Sequence, residues 1–219
     1  MKLPVAARST RARDWSYGLA LFGAHLAFMP LLVLLLPRRV EALAEGDATA
    51  ALSRILLTGA LVASAANIGA GNLSDRWMRR HGNRRVPLAL GVTLTLASYI
   101  WLAGAGSLVS LTVAVIAFQL SVNATLSPLS ALLTDHFPHG EKGRISGLSN
   151  AALPLSSAAV APLVWLFPGD DPNAFLLTGA VAAASFIPLL ILWPFAGPIS
   201  HPPEPELSAT RPRSSRRRD

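Results

Sequence analysis

The stretch of residues 71–85 reads GNLSDRWMRRHGNRR, and the fold class follows from it together with the apolar runs on either side. It follows one apolar run, carries one acidic residue, Asp75, and five arginines, and ends where another apolar run begins near Val86. Short loops rich in Lys and Arg stay on the cytoplasmic side of a membrane, because moving them across it is unfavourable. The stretch is therefore predicted to be a short, basic cytoplasmic hairpin between two membrane spans.

The chain is 52% hydrophobic and only 14% charged over 219 residues, which is typical of polytopic membrane proteins. The predicted fold class is all-α, because a helix satisfies its own backbone hydrogen bonds in lipid. The first apolar run exceeds the roughly 7 to 15 residues of a signal-peptide core, so it is interpreted as a retained span. The six predicted spans cover residues 15–36, 50–73, 86–103, 108–133, 145–167 and 174–195.

The distribution of charge predicts the orientation. Of the 19 Lys and Arg residues, all but Arg38, Arg39 and Arg54 fall on one side of the predicted spans. Both termini are therefore expected in the cytoplasm, with the protein a multi-pass component of the plasma membrane. The predicted organisation is a basic N-terminus (1–14), a six-helix transmembrane bundle (15–196) and a disordered basic tail (197–219). The net charge of +7 suits an anionic membrane surface, so no nucleic-acid partner is expected.

Prolines and aromatic residues mark further features of the spans. Prolines inside a membrane helix imply kinks, which neighbouring helices tolerate when they satisfy the freed carbonyls. The prolines concerned are Pro30, Pro128, Pro154, Pro162 and Pro188. Aromatic residues near span ends are interpreted as anchors at the membrane interface, namely Trp15, Tyr17, Tyr99, Trp101, Trp165 and Trp193.

Two stretches resemble signature motifs of the major facilitator superfamily. Residues 71–85 resemble the G-x-L-a-D-r-x-G-r-r pattern between helices two and three, through Gly71, Leu73, Asp75, Arg76, Gly82, Arg84 and Arg85. Gly82 follows Asp75 by seven positions rather than three, which adds about one helical turn. That spacing is similar to the longer form in the glycoside-pentoside-hexuronide and sucrose-transporter branch.

The second stretch, residues 135–147, resembles the D-x-x-P-x-x-x-R-G-R-x-x-G pattern between helices four and five, with Lys142 where arginine is commoner. Together the motifs resemble the N-terminal half of a twelve-helix transporter, which implies two inverted three-helix repeats. The expected partners are the lipid bilayer, a small-molecule solute, and either a second copy of the chain or a separate six-helix half. A truncated remnant is the alternative.

The resemblance also implies a conformational latch. Asp75 would sit at the positive amino end of a helix in the other half, while Arg76 would pair with Asp135, in one gate state only. Alternatively, Asp75 caps the loop and the arginines only set the topology. The predicted latch residues are Gly71, Asp75, Arg76, Gly82, Arg84, Arg85, Asp135 and Arg144.

In the family that the chain resembles, the first and fourth helices line the substrate cavity. His25 in the first span and Gln119 and Asn123 in the fourth lie near mid-bilayer, where polar groups are unfavourable unless they face a cavity or one another. They are the candidates for substrate contact, with Asn67 and Asn150 weaker. The alternative is that these groups bond across helices inside the bundle. A titrating His25 would offer proton coupling. Facilitated diffusion and a missing half are the other possibilities.

The predicted function is transport of a small solute by alternating access. A sugar or glycoside is the first candidate substrate, and drug efflux is the second. A non-transporting membrane scaffold or a remnant is the rival function, using small-residue helix faces to bind another protein. The sequence has no phosphate loop, Rossmann fingerprint, Ser-His-Asp set or metal-ligand spacing, so no enzyme activity, metal or cofactor is expected.

Overall fold

Six apolar helices, each long enough to cross a membrane, make up the structure, a computed structural model that describes residues 5–136 and 139–192. Those residues contain no strand, so the predicted all-α class with six membrane-length helices is confirmed. Trp193 and the predicted tail lie outside the described residues. The membrane-length helices are α1 (Ala12–Leu43), α2 (Ala48–His81), α3 (Arg85–Gly104), α4 (Leu108–Asp135), α5 (Gly143–Leu166) and α6 (Pro172–Leu192).

Helix α2 is unbroken over 34 residues, or about 51 Å at 1.5 Å per residue. Asp47 caps its start by accepting a hydrogen bond from the Ala50 amide (3.0 Å). Gly82 ends it in the left-handed conformation (φ 69°), and the Gly82 amide donates to the Met78 carbonyl (2.8 Å). Residues 74–81 of the predicted hairpin are therefore helical, and the turn to α3 is confined to residues 82–84.

Three of the six helices are interrupted. The α-helical segment Val5–Pro30, which contains the first part of α1, passes into a π-helical turn, Leu31–Leu35, before Leu36–Leu43. Helix α5 breaks between Ala158 and Val160, and α6 breaks at residues 185–186. Each break lies within three residues of a proline, whose missing N–H leaves a carbonyl without its helical partner. Pro128 and Pro154 lie inside continuous helical segments instead.

The packing of the helices has an internal symmetry. Helix α4 packs against α2 and α3, α1 packs against α5 and α6, and α3 packs against α6. Exchanging α1 with α4, α2 with α5 and α3 with α6 turns the packing of α4 against α2 and α3 into that of α1 against α5 and α6. The packing of α3 against α6 is unchanged by this exchange. Two three-helix repeats related by a two-fold axis give this pattern.

Helices α2 and α5 lie at the edge of the bundle. Only 11% of the most apolar segment of α2 and 17% of that of α5 is buried, against 39–56% in the other four helices. The core consequently forms around α1, α3, α4 and α6, with buried side chains such as Leu31, Leu102 and Phe118. One long side of α2 and one of α5 are therefore not covered by other helices of the chain, and we call these sides the open faces.

Glycines allow the core helices to approach closely. A Cβ atom on Gly23 would lie 2.6 Å from Ser185 Cβ, and one on Gly91 would lie 2.7 Å from Thr125 Oγ1. Gly23 thus sets the approach of α1 to α6, and Gly91 that of α3 to α4. Small residues serve this purpose generally in membrane helix packing.

Two of the predicted interface anchors are core residues, so that interpretation is wrong for Tyr17 and Tyr99. Both are buried, and a buried phenol needs a hydrogen-bond acceptor. The Tyr99 hydroxyl donates to the Ala27 carbonyl (2.6 Å) and the Tyr17 hydroxyl to the Leu129 carbonyl (3.2 Å). These bonds tie α3 to α1 and α1 to α4.

Candidate functional site

One end of the bundle, called the basic end, contains the starts of α1, α3 and α5 and the ends of α2 and α4. Arg84, in the turn between α2 and α3, is its central residue. Its Nη1 donates to Ser74 Oγ (2.8 Å) and to Asp75 Oδ1 (2.9 Å), and its Nε donates to Asp135 Oδ2 (2.8 Å). This network, defined by Arg84, Ser74, Asp75 and Asp135, joins α2, the α2–α3 turn and α4.

The three charged side chains of the network differ in exposure. The Arg84 side chain is 8% exposed, that of Asp135 is 21% exposed and that of Asp75 is 54% exposed. Burial lowers the pKa of Arg84, but the hydrogen bonds and charges of Asp135 and Asp75 raise it by more, so the net pKa is above the usual arginine value. Arg84 and Asp135 therefore form a semi-buried pair, whereas Asp75 bonds to it from the surface.

The structure does not bring Arg76 to Asp135, the pairing that was predicted for one gate state. Successive helical residues point about 100° apart, so Arg76 lies on the opposite side of α2 from Ser74, which is buried against Arg84. Arg76 is exposed, and in the described ranges it makes no ion pair. The cation on Asp135 comes from the second half of the signature stretch.

A second ion pair at the basic end involves the predicted latch residue Arg144. Its Nη2 donates to Asp14 Oδ2, and the Arg13 guanidinium lies 3.4 Å from Asp14 Oδ1. Asp14 is buried, whereas Arg144 is exposed. This pair joins the start of α1 to the start of α5, much as the Arg84 network joins α2 and α4.

At the opposite end of the bundle, Arg38 and Arg39 lie in the last turns of α1, beyond the predicted end of the first span. Arg39 Nη2 donates to the Ala103 carbonyl (3.2 Å), and its guanidinium lies 5.2 Å from the Phe175 ring centroid. Its Nε is 3.0 Å from Asp170 Oδ1, an ion pair without the alignment of a hydrogen bond. We call Arg38, Arg39 and Asp170 the opposite-end clamp.

Arg38 completes the clamp by holding the backbone of the α5–α6 connection. Its Nη1 donates to the carbonyls of Phe167 (2.9 Å) and Gly169 (3.1 Å). Since Arg39 also reaches the end of α3, the clamp fixes α1, α3 and the α5–α6 connection to one another.

The cavity candidates in α4 are buried beside α2. Gln119 is 5% exposed, and its Oε1 has no hydrogen-bond partner among the described residues. Its Nε2 would lie 3.4 Å from a Cβ on Gly59, so that glycine makes room for the amide. Asn123 is 7% exposed, and its Nδ2 donates to the Gln119 carbonyl (2.7 Å). Gln119 therefore keeps an unused acceptor.

The other cavity candidates lie apart from Gln119 and Asn123. His25 is half-buried on α1, and its Nδ1 is 2.8 Å from the Leu21 carbonyl. Because a carbonyl only accepts, this contact places the proton on Nδ1. Asn67 and Asn150 are exposed on α2 and α5. Among the side chains that the structure describes, no group of three His, Asp or Glu could hold a metal ion.

A family model described as the Major Facilitator Superfamily matches residues 17–218. The chain belongs to the Major Facilitator Superfamily. It is therefore a multi-pass membrane protein of a transporter family, with a fold consistent with half of the family's architecture. A search of the curated proteins found no match.

The signature residues of this Major Facilitator Superfamily chain fall into different local roles. Gly82 caps α2, and a Cβ on Gly71 would lie 3.7 Å from Ser127 Oγ of α4, so both positions concern the backbone. Arg85 is exposed, like Arg76. Only Asp75, Arg84 and Asp135 of the predicted latch set are brought together.

Sequence reasoning missed Asp14 and the opposite-end clamp. Asp14 immediately precedes the first predicted span. It is an acidic residue within a basic segment, and this contrast is the signal that could have indicated an ion pair. Arg39 and Asp170 are 131 positions apart and follow the apolar runs, so apolar length alone gave no sign of their contact.

Proposed function

We propose that this chain is a six-helix half of a solute transporter, completed by a second six-helix unit and working by alternating access. The observation that supports this proposal is the open face of α2 together with that of α5. Large apolar side chains are exposed along α2, such as Leu61 (66%) and Ile68 (71%), and along α5, such as Leu155 (60%).

Lipid alone is a poor environment for these two faces. The same two helices also expose amides, Asn67 on α2 and Asn150 on α5. A polar group facing hydrocarbon is unfavourable, whereas one facing a protein or a watered cavity is not. Exposed small residues, such as Gly69 on α2 and Gly147 on α5, permit close approach of another helix.

A second copy of the chain offers one such partner. A two-fold axis normal to the membrane, placed between α2 and α5, sets α2 of each copy against α5 of the other in an isologous interface. A cavity would then open between the copies, near the polar residues of α1 and α4. A separate six-helix half would complete the same faces.

The Arg84 network supplies a latch in this proposal. Only Oδ1 of Asp75 contacts Arg84, and more than half of the side chain is exposed. Asp75 can therefore contact a helix amino end of the second unit in one gate state, where a carboxylate is favourable. Arg84 keeps Asp135 as its partner when Asp75 moves. Gating thus changes one surface contact and leaves the semi-buried pair intact.

For the substrate, we propose a sugar or glycoside, moved across the plasma membrane with both termini of the chain in the cytoplasm. The unused Oε1 of Gln119 suits a hydroxyl donor, and the amide of Asn123 lies one turn away. The longer spacing of the signature stretch is similar to that of the sugar-transporting branch. The excess of arginine at the basic end supports the orientation.

Uptake into proteoliposomes tests this function. Glucose, sucrose, a phenyl glucoside and a cationic dye form the panel, and the dye tests drug efflux. Gln119→Ala should abolish uptake of the transported sugar, while Leu120→Ala, at a 51% exposed neighbouring position, should retain it. Asp75→Asn should slow transport without weakening sugar binding, because it changes the latch only. If no panel member moves, or if Gln119→Ala and Leu120→Ala behave alike, the scaffold function is favoured instead.

A further inference from the structure

We propose that the last two turns of α2 form a binding site for an anionic phospholipid, contacted by Arg76, Arg79 and Arg80. All three side chains are exposed, and none makes an ion pair within the ranges that the structure describes. The neighbouring Arg84 is paired with two carboxylates, Asp75 and Asp135, so this network carries one surplus negative charge. The three arginines outweigh it, and the net charge at this helix end stays positive.

These arginines share one face of α2. At 100° per residue, Arg76, Arg79 and Arg80 fall within an arc of about 100°. The network residues Ser74 and Asp75 lie outside this arc and are engaged with Arg84. The basic face is thus separate from the latch. Leu73, 65% exposed, lies one turn before it and offers contact to an acyl chain.

The position of the basic face along α2 matches a headgroup layer. Residues 55–74 are 20 positions without a charged side chain. At 1.5 Å per residue they span about 30 Å, the thickness of a bilayer's hydrocarbon core. Arg76 therefore lies at the depth where the lipid phosphates begin. Arginine clusters directly beyond a membrane helix are attracted to anionic headgroups.

The site is also held in place before any lipid binds. Gly82 caps the helix after Arg80, and the Trp77 and His81 rings stack with their centroids 4.0 Å apart. The arginines consequently project from a fixed helix, which lowers the entropy lost on binding. This proposal needs only that the chain spans a membrane, and it is independent of what the chain transports.

The test compares lipid binding by two double variants with the same loss of charge. Arg79→Gln/Arg80→Gln removes two members of the basic face, while Arg54→Gln/Arg85→Gln removes two exposed arginines from separate places. The full-length protein in dodecylmaltoside is titrated with phosphatidylglycerol or phosphatidylcholine, and bound lipid is counted by native mass spectrometry.

Each arginine near an anionic surface strengthens binding about fivefold, so the first variant should weaken phosphatidylglycerol binding about thirtyfold. The control variant should lose at most about fivefold, through Arg85 alone, and phosphatidylcholine should bind weakly to all. Equal effects of the two variants, or equal binding of the two lipids, would overturn the proposal. So would displacement of the lipid by inorganic phosphate, which would indicate a soluble anion. A change from dimer to monomer in the first variant would show that this face binds protein.

Discussion

Arg84→Met is the substitution that tests the basic end most sharply. Methionine keeps much of the side-chain volume but removes every donor that reaches Ser74, Asp75 and Asp135. Breaking a fully buried ion pair costs about 3–5 kcal/mol, because one charge is left without a partner. Because Asp135 is still 21% exposed, breaking its ion pair with Arg84 should cost less, about 2–3 kcal/mol of unfolding free energy. Breaking the pair with the more exposed Asp75 should add only about 0–1 kcal/mol to this loss. The expected loss of unfolding free energy is therefore about 2–4 kcal/mol.

Equilibrium unfolding in mixed SDS and dodecylmaltoside micelles, followed by circular dichroism, measures this loss. Arg85→Gln is the matched control, since it removes the adjacent, exposed arginine. The structure predicts a large effect for Arg84→Met, a smaller one for Asp135→Asn, and effects within about 0.5 kcal/mol for Asp75→Asn and Arg85→Gln. Equal losses for Arg84→Met and Arg85→Gln would refute the assignment of Arg84 as the central cation.

Three further outcomes are expected. Because the pKa of Arg84 is raised, its contribution to the free energy of unfolding is fully present below the ordinary arginine pKa. The stability difference between wild type and Arg84→Met should therefore stay constant from about pH 7 to pH 10. A difference that closes in this range would contradict the expectation. A double-mutant cycle of Arg39→Gln and Asp170→Asn should give a coupling free energy of about 1–3 kcal/mol, and a value near zero would show that the clamp contributes nothing. Gly91→Leu should destabilise the protein by about 1–3 kcal/mol through overpacking against Thr125. Gly104→Ala, with open space at its Cβ, should be nearly neutral.

The number and type of the helices could be predicted from the sequence because lipid imposes them. An uncharged run such as residues 55–74 has to be helical in hydrocarbon, whatever surrounds it. The spacing from Asp75 to Gly82 likewise predicted the extra turn, which the structure shows as helix up to His81. The prediction placed that turn in a loop, since charge marks the membrane boundary and does not mark the end of a helix.

The contacts of the site depend on how helices are rotated against one another, which a motif does not specify. Arg76 and Arg84 both belong to the signature stretch, but only the turn after Gly82 brings an arginine to Asp135. Tyr99 was similarly ambiguous, since a tyrosine near a span end suits an interface as well as a buried carbonyl. Only the packing of α3 against α1 and α6 decides between them.

A second six-helix unit should cover the open faces of α2 and α5. Multi-angle light scattering of the purified protein in mild detergent, with the detergent mass subtracted, measures whether it does. With a second copy as the partner, a defined species at twice 23.1 kDa is expected. A monodisperse species at 23.1 kDa, at concentrations where the protein transports solute, would contradict it.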